Sequence, residues 1–126
     1  TFLCSRDVHA PMKEVGGGKI INIGSMTSVF GSDWVVPYAA SKGGLIQLTR
    51  WLATVLAPDV RVNAITPGGL WRNQPETFRE QYVARTPLGR MGTEEDLKGA
   101  AAYLASDLSA YVTGQNLIVD GGWTAW

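Results

Sequence analysis

Apolar residues fall along the chain in short blocks whose spacing changes from block to block. From Phe2 to Val15 the apolar positions Leu3, Val8 and Met12 are separated by polar ones, which predicts a helix that tolerates Pro11. Gly16-Gly17-Gly18 stops it. Lys19-Ile20-Ile21-Asn22-Ile23-Gly24 is short, β-branched and bounded by glycine, the pattern of a buried strand, and a loop runs from Ser25 to about Pro37. Leu45, Leu48, Leu52 and Val55 then recur at spacings of three and four, so the stretch from Tyr38 to about Leu56 predicts an amphipathic helix ending before Pro58. Val60-Arg61-Val62-Asn63-Ala64-Ile65 predicts a second strand, ended by Pro67-Gly68-Gly69. Residues 70–87 are an excursion in which Pro75 opens a short helix with Phe78 and Tyr82 on one face. Thr93-Glu94-Glu95-Asp96 has the form of a capping box and starts a helix through Leu97, Ala101 and Leu104. Asn116-Leu117-Ile118-Val119 is a third strand, closed by Asp120-Gly121-Gly122.

Strands alternating with helices imply βαβ units and a parallel sheet covered by helices. In such α/β sheets ligands bind beyond the carboxyl ends of the strands. Three segments are selected by that rule: residues 24–37, residues 66–87, and the chain from Asp120 onward.

Composition narrows the function classes. The 126 residues carry 11 Lys plus Arg against 11 Asp plus Glu, and 45% are hydrophobic. That is one domain at most, with too much apolar material for a disordered chain and no excess charge to attract nucleic acid. No apolar run reaches the roughly 18 to 20 residues that span a bilayer, and the first residues do not form a charged-then-apolar leader, so a cytoplasmic protein is expected. Cys4 and His9 are the only cysteine and histidine; together they make neither a disulfide nor a metal site.

The candidate chemistry sits at the first loop and the start of the long helix. Tyr38 and Lys42 are four residues apart, hence about one turn from each other on one helical face. A free phenol is a poor base near neutral pH, but an adjacent ammonium favours the phenolate, so such a tyrosine can exchange a proton with an alcohol or carbonyl oxygen. Ser25, at the end of the preceding strand, is placed to hold the same oxygen by a hydrogen bond. The plainer reading of an isolated Tyr-x-x-x-Lys is a core tyrosine and a solvated lysine. No Gly-x-Ser-x-Gly elbow and no Ser-x-x-Lys pair occurs, which disfavours a serine hydrolase.

Five stretches lie in the order and spacing of one family: residues 19–25, Tyr38-Ala39-Ala40-Ser41-Lys42-Gly43-Gly44, residues 61–68, Gly89-Arg90-Met91-Gly92-Thr93, and Thr113-Gly114-Gln115 running to Val119-Asp120-Gly121-Gly122. The chain resembles the C-terminal half of a short-chain dehydrogenase/reductase. The resemblance implies the C-terminal part of a Rossmann-type doubly wound parallel sheet, about three strands with flanking helices. Residues 1–126 would then be the catalytic portion of one domain whose N-terminal dinucleotide-binding half lies elsewhere. It implies NAD or NADP as cofactor and a small-molecule alcohol or ketone as substrate.

Residue by residue, the resemblance makes Ser25, Tyr38 and Lys42 catalytic, with Lys42 also a ligand of the nicotinamide ribose. It places Gly24, Tyr38, Lys42, Pro67, Gly68 and Leu70 at the cofactor. Where the family usually has a threonine after the Pro-Gly pair, this sequence has Trp71, Arg72 and Asn73, so the carboxamide contact would fall to the Leu70 backbone or to Asn73. Ser25, Trp34, Tyr38 and Arg72 are the candidate substrate contacts, Arg72 as partner of a carboxylate. Trp71 is a second candidate for the pocket wall, while Trp123 and Trp126 are expected to pack in a core or subunit interface. Gly16-Gly17-Gly18 is no phosphate cradle, because it follows a helix and precedes a strand. The family's glycine-rich turn and the last member of its catalytic set would both precede Thr1, and the first strand would have an exposed edge.

The stretch from Phe30 to Tyr38 is most similar to members that oxidise sugar acids, such as gluconate 5-dehydrogenases. Reductases of 3-oxoacyl chains on acyl carrier protein are the near alternative. A catalytically silent fragment or scaffold is the alternative of another class. The resemblance also implies a homo-oligomer, a dimer or tetramer, formed through the first two helices and the C-terminal tail.

Overall fold

The computed structural model describes all residues from Thr1 to Trp126. In chain order the elements are α1 (Phe2–Glu14), β1 (Gly18–Ile23), α2 (Val36–Val55), β2 (Val60–Pro67), α3 (Glu76–Ala84), α4 (Glu94–Ala105) and β3 (Asn116–Val119). Short 3₁₀ turns at Met26–Ser28 and Asp107–Ser109 follow β1 and α4. Every element expected from the pattern of apolar positions is present. The helix α1 runs through Pro11 and stops where Gly16 and Gly17 take positive φ, a backbone form that glycine adopts without steric penalty.

The three strands form one parallel sheet in the order β1-β2-β3. β1 pairs with β2 from Gly18 opposite Val60 to Ile23 opposite Ile65, and β2 pairs with β3 from Ala64 opposite Asn116 to Pro67 opposite Val119. β1 pairs on one side only. The central β2 is buried along nearly its whole length, including the polar Asn63 and Thr66, which find hydrogen-bond partners there. Its Val60 and Val62 pack with Leu52 and Ala53 of α2 and with Leu56 just past its end, and Met12, Ile20 and Leu48 close the cluster from outside. The spacing of Leu48, Leu52 and Val55 thus turns one stripe of α2 onto the sheet, although Val55 itself ends half exposed.

Polar bonds then fix the far ends of β2 and β3. Asn63, buried, donates to the Val112 carbonyl at 2.9 Å and accepts from the Gln115 N–H at 2.9 Å, which seats the turn before β3. Arg61 donates to the carbonyls of Leu104, Ser106 and Val112, taking up groups left free at the end of α4. No helix is long and apolar enough to cross a membrane. Trp123 packs within the chain, 4.7 Å from the Phe30 ring, while Trp126 is 84% exposed at the tail and joins no core of this chain.

Candidate active site

The sheet's carboxyl ends gather most of the residues singled out in the sequence. Ser25 lies two residues past the end of β1 and has an extended backbone that caps the 3₁₀ turn after it. Its Oγ accepts from the Thr27 N–H at 3.3 Å and from the Thr27 hydroxyl at 3.1 Å. The Ser25 hydroxyl proton is therefore uncommitted and available to donate.

Tyr38 and Lys42 lie in the first turns of α2, which starts at Val36 because Pro37 suits a first helical turn. Lys42 reaches back to the end of β1 and donates to the Ile23 carbonyl at 2.7 Å. The same ammonium lies 5.7 Å from the centre of the Tyr38 ring, within cation–π range. The Tyr38 side of α2 is open, with that residue 48% exposed. The Tyr38–Lys42 pair is thus tied to the end of β1 through the Ile23 carbonyl, two places before Ser25. Gly24 is in the same place, but it faces protein: a Cβ there would overlap Thr66 Oγ1 and come within 3.3 Å of Ile46 Cδ1. Its glycine is explained by the closeness of β1, β2 and α2.

A second half of the site is built on the chain after β2. Gly68 N–H donates to the Val119 carbonyl, Gly69 N–H to the Tyr82 hydroxyl at 2.5 Å, and Trp71 N–H to the Gly92 carbonyl. Within this strip the Leu70 N–H has no partner in the chain. Leu70 lines a cleft of about 140 Å³ with Gly68, Gly69, Leu88, Arg90 and Asp120. Pro67 ends β2 beside it. The cleft does not include Ser25, Tyr38 or Lys42.

Three residues expected at the substrate are placed less simply. Trp34 is 82% exposed on the loop before α2. Arg72 is engaged within the chain, its guanidinium 2.8 Å from Glu94 and 3.0 Å from the Trp71 carbonyl, so a substrate carboxylate would compete with Glu94 for it. Trp71 packs under the Arg79 guanidinium at 5.8 Å. Asn73 has φ of 57°, a left-handed turn position that asparagine tolerates.

The structure adds residues that spacing alone did not mark. Tyr82 lies between the two halves: its hydroxyl receives the Gly69 N–H and donates to Met26 Sδ at 3.3 Å, next to Ser25. Burial pushes its phenol up, against the lowering effect of the Gly69 N–H, and the Asp120 charge adds to the rise. Arg90 makes two 2.7 Å bonds to the Asp96 carboxylate, which also receives the Thr93 N–H at 2.8 Å. The Arg90 guanidinium, then the Thr93 N–H, hold that carboxyl far below the ordinary carboxylate range. The capping-box spacing found Asp96; Arg90, six positions upstream, gives no helical-spacing signal. Asp120 is partly buried, which acts to raise its pKa, but bonds from the Thr124 hydroxyl and the Thr124 and Gly122 N–H groups leave it below the usual value. No cluster of His, Cys, Asp and Glu is placed to hold a metal ion.

A parallel α/β sheet with a serine, a tyrosine and a lysine near one strand end and a glycine strip at the next has its candidate site beyond the carboxyl ends of the strands, where ligands of such sheets bind. The family model described as enoyl-(acyl carrier protein) reductase matches residues 1–124, and the chain belongs to the short-chain dehydrogenase/reductase family. It is 43% identical over 125 residues to a 3α-hydroxysteroid dehydrogenase of Mediterraneibacter gnavus, covering 95% of this chain and 50% of that protein. A short-chain dehydrogenase from Leptospira borgpetersenii, solved with bound NAD+, superimposes with a TM-score of 0.91 at 45% identity, covering 98% of this chain and 51% of the other. A gluconate 5-dehydrogenase from Burkholderia cenocepacia, solved with NADP and tartrate, gives 0.92 at 36% identity, covering 97% and 51%. The chain therefore spans about half the length of the relatives it matches.

Proposed function

We propose that this chain is the catalytic portion of a nicotinamide-dependent oxidoreductase that interconverts a secondary alcohol and a ketone. The observation that carries the reading is the Lys42 ammonium, fixed on the Ile23 carbonyl at 2.7 Å two places before Ser25 and 5.7 Å from the Tyr38 ring. In the oxidative direction the substrate hydroxyl gives its proton to the Tyr38 oxygen, and in the reductive direction Tyr38 returns it to the carbonyl oxygen. The Lys42 charge stands where it stabilises negative charge developing at that phenol. Ser25, whose hydroxyl proton is uncommitted, donates to the substrate oxygen and fixes its position.

The residues after β2 suit the nicotinamide end of NAD or NADP, because the Leu70 N–H is an unpartnered donor on the wall of a cleft and matches a carboxamide oxygen. Gly68 and Pro67 would lie along the ring, and Lys42 would reach the ribose hydroxyls. When bound, the nicotinamide supplies or accepts the hydride at the carbinol carbon. Gly24, held against Thr66, would act only through the backbone next to Ser25.

For the substrate we favour a sugar acid of the gluconate kind. Its support is the likeness to the gluconate 5-dehydrogenase, together with the exposure of Tyr38 and Trp34. An acyl thioester is the second reading, favoured by the description of the matching family model. A cytoplasmic homo-oligomer fits the low cysteine content and the aromatic pair Phe2 and Trp51, 6.0 Å apart and half exposed where α1 and α2 adjoin. The test is Tyr38→Phe in the intact protein, assayed with gluconate, a 3-oxoacyl thioester and a 3-hydroxysteroid. Turnover should fall by about 100-fold or more while cofactor still binds. Near-normal turnover would sink the assignment.

A further inference from the structure

We infer that Tyr82 is a positioning residue, which locks the Gly68–Leu70 strip to the loop carrying Ser25 and so sets the grip on the nicotinamide end of the cofactor. The inference rests on the proposed reading of the site and deepens it. Tyr82 projects from α3, is 8% exposed, and uses its one hydroxyl twice: it accepts the Gly69 N–H at 2.5 Å and donates to Met26 Sδ at 3.3 Å. Met26 follows Ser25 in sequence, and Gly69 precedes Leu70. One oxygen thus ties together segments that leave the sheet from two different strands.

The surroundings leave that oxygen little freedom. The ring is stacked between Phe78 at 6.2 Å and Trp123 at 5.9 Å. The Thr86 hydroxyl donates to the Tyr82 carbonyl at 2.9 Å and fixes the end of α3. A Cβ on Gly69 would come within 2.7 Å of the ring, while one on Gly68 would meet Asp120 Cα at 2.7 Å first and the Tyr82 hydroxyl at 2.9 Å. Gly69 is therefore matched to this tyrosine, and a side chain there would push the ring away. Burial keeps the phenol protonated at neutral pH, as donation to sulfur requires. With Gly68, Gly69 and Trp71 all bonded within the chain, only the Leu70 amide is turned over to a ligand. Tyr82 touches no reacting atom and acts through Gly69 and Met26.

The experiment uses Tyr82→Phe in the intact protein, which keeps the ring stack and removes only the oxygen. Affinity for NADH or NADPH, followed by nicotinamide fluorescence, should weaken by about ten-fold. Affinity for ADP-ribose, or its 2′-phosphate if NADPH is preferred, should stay within about two-fold, because those ligands lack the nicotinamide. Unchanged dinucleotide affinity, or a loss shared by ADP-ribose, overturns the inference. Should Tyr82→Phe fail to fold, Met26→Leu removes the sulfur acceptor and leaves the aromatic stack; it should weaken the dinucleotide and spare ADP-ribose, and the same two contrary results count against the inference. Tyr38→Phe, run in parallel, separates the two ideas: if it retains turnover the catalytic reading fails whatever the Tyr82 variant does.

Discussion

Gly24→Ala tests the claim that the active-site end of β1 is set by contact among three elements. The new Cβ would overlap Thr66 Oγ1, well inside the roughly 3.5 Å of ordinary contact, and lie 3.3 Å from Ile46 Cδ1 and 3.4 Å from the Ile65 carbonyl oxygen. Ile46 can shift its terminal methyl. Thr66 has no such slack: it is fully buried, and its hydroxyl is bonded to Asn116 Oδ1 at 2.6 Å. Rotating it away would give up a bond worth about 0.5–1.5 kcal/mol, and moving β1 away would strain the Gly24 N–H bond to Ile65. Overpacking of this kind costs about 1–3 kcal/mol, and that is the loss expected in denaturant titration of the intact protein. Ser25 follows the strained residue, so kcat should fall as well. The mechanism is isolated by Thr66→Ala, which clears the space. In that background Gly24→Ala should lose no more than about 0.5 kcal/mol, a coupling in the range measured for residues in contact. A stability change under about 0.5 kcal/mol on the wild-type background, or an equal loss in both backgrounds, would refute the packing argument.

Two further outcomes follow from the energetics. Asp96→Asn should lower stability near neutral pH, and the gap to wild type should close in acid. The folded carboxyl titrates far below its unfolded value near 4, so its contribution is whole above that value and fades as pH falls from about 4 toward the folded pKa. Denaturant midpoints from pH 7 down to about 2.5 check this, and a gap independent of pH contradicts it. Leu52→Ala, at a position 1% exposed between α2 and β2, should cost about 2–5 kcal/mol in the same titration, with kcat of the surviving folded protein little changed; a loss below about 1 kcal/mol would show that the cluster repacks.

The architecture was legible because its signals are local. β1 is bounded by Gly18 where the strand was expected to start at Lys19, and α2 starts at Val36 where Tyr38 was expected, shifts of one and two residues. They arise where a sheet partner or a helical proline extends an element past its apolar run: Gly18 pairs with Val60, and Pro37 occupies the first turn of α2. The Tyr38–Lys42 pair was legible for the same reason, since a spacing of four fixes a common face without knowledge of the fold. Partners distant in sequence carried no such signal. Nothing in the sequence told that Glu94 would hold Arg72, that Arg90 would double the bonds on Asp96, or that Trp126 would lie open while Trp123 packed at a tilt against Phe30.

Tyr82 shows where the line between the two kinds of signal falls. Its place on the same helical face as Phe78 follows from spacing, and the ring distance of 6.2 Å agrees. Its chemistry depends on a hydroxyl meeting Gly69, thirteen residues back, and Met26, fifty-six residues back. Both partners are backbone or thioether groups with no sequence signature of their own. The one trace available was negative: Pro67-Gly68-Gly69 has two glycines in succession, and the second has no left-handed φ to explain it. A glycine without a conformational reason points to a neighbour pressed against the backbone, and here the neighbour is the tyrosine ring 2.7 Å from where a Cβ would stand. Gly24 obeys the same logic against Thr66. Gly24 and Gly69 are therefore set by the side chains that press on them, Thr66 and Tyr82, rather than by a backbone conformation only glycine adopts.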